Sequence, residues 1–461
     1  METIPQTKQK LDYKKTFLIG FGFLASSALW SVYNSYVPLI LNEQLGNVDF
    51  VMQRGILGVL VGFIMTFDNI FGVIFQPAFG KLSDRTHSRF GKRRIYLLIG
   101  MPISALLFIL IPMAETIVTL MLSVILFNFV MSTWRSPVVA LMPDLTPPAL
   151  RSEGNAVINL MGGVGTFLGM VSGMALTSVF KVEDEFLGRI IVFTFTSVVV
   201  LISLIIVMTK VKEPDNRLSA VANKRMAEEE AEALARAKAA EKKKFKQLRL
   251  SGPKKKSLFF MLIGLFFIFN GSETLQTYFT TFATIELGIN EFLATLLMGI
   301  FALSLMIFAV PAGKLGQKIG RKKTILIGLA GALVLFLIIV ATRSMGEIIM
   351  WAVILIALIG AGACVALINI NTLPIVLEIG TEEQIGAFTG YYYTATFTAS
   401  IFAPIAMGAI FDVTTKPGGM GYWSLPIYCA VAFLLAFISI LFVRHGEAEN
   451  PDAPAPDAEV A

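Results

Sequence analysis

GKLSDRTHSRFGKRR, from Gly80 to Arg94, and GKLGQKIGRKK, from Gly313 to Lys323, are two basic stretches of one kind, each set between long apolar runs. Neither is long enough to be a domain, and a connection this charged cannot lie in hydrocarbon. Each reads as a tight polar hairpin between two membrane-spanning helices, held on the side where Lys and Arg collect. One hairpin in each half of the chain predicts a repeated architecture whose two halves move against each other around a site near the membrane midplane.

Composition agrees with this reading. The 461-residue chain is 55% hydrophobic, above the level of an ordinary soluble domain, so a membrane protein is expected. Its net charge of +6 falls in connections between apolar runs and not on a soluble face, which argues against nucleic acid as a partner. Cys364 and Cys429 both sit in apolar runs with no His or Cys at ligand spacing, so no disulfide, metal site or other cofactor is expected. Lys14 and Lys15 ahead of TFLIGFGFLASSA look like the start of a cleaved leader. The apolar run, however, continues to Leu41, long enough to span a bilayer, and an uncleaved first helix is expected.

Reading spans by length gives helices near 15–41, 50–79, 95–114, 116–142, 153–180 and 188–210, then 257–285, 291–313, 324–342, 347–377, 384–411 and 422–444. The expected fold is an all-α integral membrane protein with twelve transmembrane helices in two six-helix halves. Residues 1–210 form the first half, 211–256 a charged linker, 257–445 the second half and 446–461 a disordered tail. Lys8, Lys10, Lys14, Lys15, both hairpins and the linker fall on one side, while Glu43, Asp49, Glu115 and Glu183 to Glu185 fall on the other. The positive-inside rule then puts both termini in the cytoplasm of a multi-pass cell-membrane protein, with the linker lysines placed to meet anionic lipid. A second internal match supports the repeat: LMPDLTPPALRSEGNA at Leu141 to Ala156 and TLPIVLEIGTEEQIGA at Thr372 to Ala387 hold the same place after the two hairpins.

Gly80 and Gly313 should allow close helix approach. Asp84, Arg85, Arg89, Arg93, Arg151 and Arg321 either latch the halves or only set topology. Charges inside spans cost about 2.5–3.5 kcal/mol each and need a partner or a wet cavity. Asp68 in the second span and Arg135 in the fourth can face each other as an ion pair, either coupling a proton to transport or locking two helices. In NGSETLQTYF, Asn270, Glu273, Thr274 and Thr277 share or border one helical face near Gln276, a donor and acceptor set suited to a polyol. For Asn270 the alternative is polar glue between helices. Asn369 and Asn371, at most two of Tyr391, Tyr392 and Tyr393, and Trp30, Tyr33, Asn34 or Trp134 can extend that surface. GGVGTFLGMVSG, Gly162 to Gly173, follows no strand and has no Lys at phosphate-loop spacing, so it reads as close helix packing.

The hairpins match the major facilitator pattern, and FQPAFGKLSDRTHSRFGKRR continuing to MPDLTPPALRSEGNA resembles the glycoside-pentoside-hexuronide and sucrose-transporter branch. That resemblance implies alternating access and cation-coupled sugar uptake. Asp144 holds the place of the acid in the sucrose-transporter ALLADL segment, where an acid is linked to proton coupling, and Arg151 resembles the base that follows it. A plain salt bridge from Asp144 to Arg151 or Arg85 is the competing reading. Where melibiose-type sodium symporters place two acids before the Pro of the second span, this chain has Gly72 and Gln76 before Pro77. A hard cation finds fewer charges there, which favours the proton over sodium as coupling ion.

The expected activity is therefore proton-coupled symport of a sugar by a monomer, with Asp68, Asp144 and Glu273 handling the proton. Trp30, Asn34, Asp68, Arg135, Asn270, Glu273, Gln276 and Asn371 are expected to bind substrate. The alternatives are a carrier of another polar or amphipathic solute, such as a drug or lysolipid, and a transporter-like sensor. No nucleophile and base pair or nucleotide loop is readable, so an enzyme is not expected.

Overall fold

Every regular element among the described residues is helical. The computed structural model describes residues 11–146, 150–213, 252–380 and 385–446, the side chains at 151–153, 347–348 and 385–387 excepted. Most of the linker and nearly all of the tail lie outside that set. The first group is α1 (Tyr13–Gly46), α2 (Asp49–Arg54), α3 (Leu57–Met65), α4 (Phe67–Asp84), α5 (Arg94–Leu110), α6 (Ile117–Leu145), α7 (Arg151–Phe180) and α8 (Glu185–Lys210). The second is α9 (Gly252–Glu286), α10 (Glu291–Ile319), α11 (Arg321–Ala341), α12 (Glu347–Ile379), α13 (Ile385–Thr414) and α14 (Ser424–Leu441).

Counting α3 and α4 as one, eleven helices among the described residues are long and apolar enough to cross a membrane. The twelfth expected span, α5, has 17 residues and lies at the lower limit of spanning length. It ends at Leu110, short of the expected 114, because Pro112 has no N–H to donate and Ile111 turns back onto the Phe108 carbonyl at 3.2 Å. The second span also differs from expectation. Residues 49–54 form the separate helix α2, closed by Gly55 in the left-handed region at φ 61°, and the span proper is broken at Thr66. At the break the Thr66 N–H reaches Phe63 at 3.1 Å, a tightened turn, before α4 begins. α9 starts at Gly252, inside the stretch expected to be linker.

Starts are set by local chemistry. Asp12 accepts the Lys15 N–H at 3.0 Å to cap α1, Thr116 and Thr119 form a reciprocal capping box on α6, and Asn290 caps α10 through Leu293 at 2.8 Å. Large apolar side chains point both ways: Phe108 stacks on Phe193 with ring centres 4.4 Å apart in the interior, while Val118 and Val179 are over 70% exposed, as lipid-facing residues are.

Small residues decide how closely helices meet. A methyl group on Gly165 of α7 would lie 2.2 Å from the Leu24 carbonyl oxygen of α1, so the GGVGTFLGMVSG run packs helix on helix. Between the two groups, methyls on Gly58 and Gly62 of α3 would lie 2.2 Å from the Gly408 and Pro404 carbonyl oxygens of α13. Asp412 of α13 then accepts the Gly58 and Val59 N–H groups at 2.6 and 2.9 Å, supplying from the other half the cap that α3 lacks in its own sequence. α7 meets α10 at the same end, where Gly173 and Gly188 border Phe292. The halves are thus joined at the end away from both hairpins.

Candidate functional site

Helical periodicity builds the site. Ser27, Trp30, Ser31 and Asn34 recur at positions i, i+3, i+4 and i+7 on α1, and Tyr393, Thr396, Phe397 and Ser400 do so on α13. Phe269, Glu273 and Gln276 form a matching stripe on α9. With Asp68 and Asn69 of α4, Arg135 of α6 and Thr166 and Met170 of α7, these residues line a cavity of about 350 Å³ between the halves.

The break at Thr66 positions the acid. Asp68 falls in the first turn of α4, where the helix dipole favours a negative charge, and its Oδ1 accepts the Asn69 N–H at 2.6 Å and Nδ2 at 2.7 Å. The direct ion pair expected with Arg135 is not made within 4 Å. Arg135 lies instead over the Trp30 ring, 5.2 Å from its centroid, within electrostatic reach of both Asp68 and Glu273. The Ser400 hydroxyl, which donates to the Thr396 carbonyl at 3.1 Å, shares the cavity wall with Glu273. One base therefore faces two acids.

The cavity gathers Trp30, Asn34, Asp68, Arg135, Glu273 and Gln276 from the expected set. Asn270 and Asn371 lie elsewhere. Asn270 accepts a hydrogen bond from Tyr428 and ties α9 to α14; Asn371 donates to the Ala312 and Leu367 carbonyls at 3.2 and 2.9 Å and ties α12 to α10. Of the three tyrosines only Tyr393 lines the cavity; Tyr392 is buried against Phe269. Trp134 packs on Gly100 and donates to Ser104 at 2.9 Å, and Tyr33 is buried, accepting from Asn128 at 3.0 Å. Ser27, Ser31, Asn69 and Thr166 are cavity residues that the sequence reading passed over. The small residues on the Trp30 face of α1 were the available signal.

Asp144 is not at the cavity but in the first hairpin network. It pairs with Lys92 at 3.0 Å and Arg93 at 2.9 Å, and Arg85, the other base expected from the hairpin, is not among its described partners. Arg85 is exposed, Arg89 covers the Phe90 ring at 4.7 Å, and the Arg151 side chain lies outside the described residues. Arg93, only 5% exposed, also bonds Asp84, Ser83 and the Gly80 carbonyl, so it clamps the end of α4 to the end of α6. Glu213 accepts the Arg93 and Arg94 N–H groups at 3.0 and 3.2 Å; burial pushes its carboxyl pKa up while these donors pull it down. Gly80 does permit close approach, a methyl there lying 2.8 Å from Ser136 Oγ. At Gly313 a methyl would meet only Ile370 at an ordinary 3.5 Å, and the tight position is Gly316 against Asn371. Arg321 pairs with Glu378. Among the described residues, the ion pairs of Arg93 and Arg321 thus close each hairpin within its own half. Arg93→Ala should lower stability by about 2 kcal/mol, since it removes the hydrogen bonds that tie Asp84, Asp144 and the half-buried Gly80 carbonyl together. A thermal melt in detergent unchanged from the parent would contradict the clamp.

Among the described residues one ion pair joins the halves, at the opposite end, and sequence reasoning missed it. Arg189 of α8 bonds Glu43 of α1 through Nη1 at 2.6 Å and Glu291 of α10 through Nε at 2.8 and 2.9 Å. The signal was an arginine one turn inside a span, on the side otherwise rich in acid.

Known proteins resemble this chain along its length. The sequence profile of the Major Facilitator Superfamily matches residues 19–373 and 261–460. Among curated proteins, an uncharacterized transporter, YycB, of Bacillus subtilis is 30% identical over 202 residues, 43% of this chain and 47% of that protein. Proton-associated sugar transporter A of Rattus norvegicus is 27% identical over 194 residues, 38% of this chain and 25% of the relative. Sucrose transport protein SUC3 of Arabidopsis thaliana is 26% identical over 146 residues, 27% of this chain and 25% of the relative. The matches span about half or less of these relatives' lengths. In fold, the chain is similar to the nucleoside transporter NupG (TM-score 0.66, 14% identity, 93% of this chain and 99% of that one) and a D-xylose-proton symporter (TM-score 0.65, 17% identity, 92% and 96%). With the family profile running through both groups of helices, the chain belongs to the Major Facilitator Superfamily and is a membrane transporter, not an enzyme.

Proposed function

We propose that this transporter carries a sugar or glycoside together with a proton, as a monomer, by exposing the central cavity alternately to the two faces of the cell membrane. The observation that carries the reading is the cavity lining. Asn34, Asn69, Gln276 and a set of Ser and Thr hydroxyls supply donors and acceptors for a dehydrated polyol, and Trp30, Phe269 and Phe397 supply faces for its C–H surfaces. A carrier of drugs or lysolipids needs a wall of Phe, Met and Leu, whereas most residues here are polar. Two carboxylates against one guanidinium leave one acid without a matching base, a place for the coupling proton. The names of the two sugar-transporter relatives point to the same substrate class.

The excess of Lys and Arg puts the hairpins and both termini in the cytoplasm, so the joined end is the outer one. The test is uptake into vesicles holding the purified protein, across labelled mono- and disaccharides, with and without a pH gradient and with and without sodium. At least one sugar should accumulate with the pH gradient, and sodium should add nothing. Gradient-independent uptake of every sugar would remove the coupling claim; no sugar uptake at all would remove the substrate class.

A further inference from the structure

Arg189 is divided between two acids that belong to different halves. Its Nη1 reaches Glu43 of α1 in its own half at 2.6 Å, and its Nε reaches both oxygens of Glu291 of α10 in the other half at 2.8 and 2.9 Å. The three differ in burial. The Arg189 and Glu291 side chains are 8% and 2% exposed, whereas that of Glu43 is 55% exposed at the rim. Next to Glu291, Phe292 lies against Gly173 and Gly188 of the first half, where an added methyl would come within 3.0 and 2.3 Å of its ring.

We propose that Arg189 and Glu291 form the lock that holds the halves together at this end, and that Glu43 is the holding partner that keeps Arg189 paired when the lock opens. The proposal rests on the rocking motion of the preceding section but not on the identity of the solute. Breaking a buried pair is costly mainly when a charge is left without a partner. When α10 withdraws, Arg189 keeps its contact to Glu43, on the same rigid half, and only Glu291 must find water. Withdrawal of α10 also removes Phe292 from the two glycines, so Glu291 becomes exposed at the moment it loses its base. The two acids therefore have opposite effects on the equilibrium. Glu291 favours the state closed at this end; Glu43 favours the open one by stabilising the released base.

The opposition gives a direct test. In vesicles of fixed orientation, Thr166→Cys in the central cavity, with Cys364 and Cys429 replaced by Ala, is labelled by a membrane-impermeant maleimide from the face away from the hairpins. Glu291→Gln should raise the labelling rate about tenfold and Glu43→Gln should lower it about threefold. Glu291→Asp, which keeps the charge, should restore most of the parent rate, and a monodisperse elution profile for each variant shows that it is folded. Labelling that moves in the same direction for both Gln variants, or that ignores Glu291→Gln while the parent is labelled, overturns the lock. If Thr166→Cys is never reached from that face in any variant, the lock and the rocking motion both fail.

Discussion

Asp68→Asn should abolish accumulation of sugar against its gradient while sparing exchange of sugar across the membrane. The size of the effect follows from thermodynamics. One proton moving down two pH units releases about 2.7 kcal/mol, which supports about 100-fold accumulation at one proton per sugar. Without a proton carrier that ratio falls to one. Asp68 is chosen because it combines a place at the cavity with a charge that Arg135 does not neutralise by direct contact, and because the broken second span sets it at the first turn of α4. Glu273→Gln tests the other acid on the opposite wall. If Asp68→Asn accumulates normally and Glu273→Gln does not, the proton belongs to the second half. Asp144→Asn is the informative control: its carboxylate is held by Lys92 and Arg93 at the hairpin, so its loss should lower thermal stability and leave the accumulation ratio intact. Loss of accumulation in Asp144→Asn alone would move the proton role to the hairpin and overturn the assignment to the cavity.

These contrasts mark where sequence reasoning reached. Apolar run length and the two hairpins made the helices legible, because backbone in lipid must satisfy itself and charge must leave the bilayer. The break at Thr66 and the early end of α5 were not legible as boundaries, although Pro112 is a visible stop. Of the cavity, the residues on recognisable helical stripes could be found: Trp30 and Asn34 lie one turn apart, as do Glu273 and Gln276. Charged residues inside spans were also visible, and Asp68, Arg135 and Glu273 do converge. What sequence could not supply was choice of partner. Asn270 and Asn371 have the chemistry of a sugar site, yet each is used by a neighbouring helix that only the fold brings near. Arg189 and Glu291, or Gly58 and Asp412, are contacts across the two halves with no local pattern to announce them.

The second large effect belongs to such a contact. Gly62→Ala should bias the transporter away from the state described here and slow transport severely. A single methyl would lie 2.2 Å from the Pro404 carbonyl oxygen and 2.6 Å from its carbon, and these atoms are backbone, so no rotamer relieves the overlap. α3 and α13 must separate. Overpacking of this kind costs about 1–3 kcal/mol, which shifts a two-state equilibrium by about 5- to 150-fold. The penalty falls on one state only, because the methyl meets nothing once the halves part at this end. Thr166→Cys labelling from the face away from the hairpins should therefore rise while transport falls. Gly165→Ala supplies the contrast: its methyl would lie equally close to a carbonyl, at 2.2 Å from Leu24, but within one half. That overlap is present in both states, so it should lower the melting temperature without changing which face is labelled. Gly46→Ala, with nothing inside 4 Å, should do neither. If Gly62→Ala behaves like Gly165→Ala, destabilised but unbiased, then the α3 and α13 contact is ordinary packing and not the surface along which the halves part.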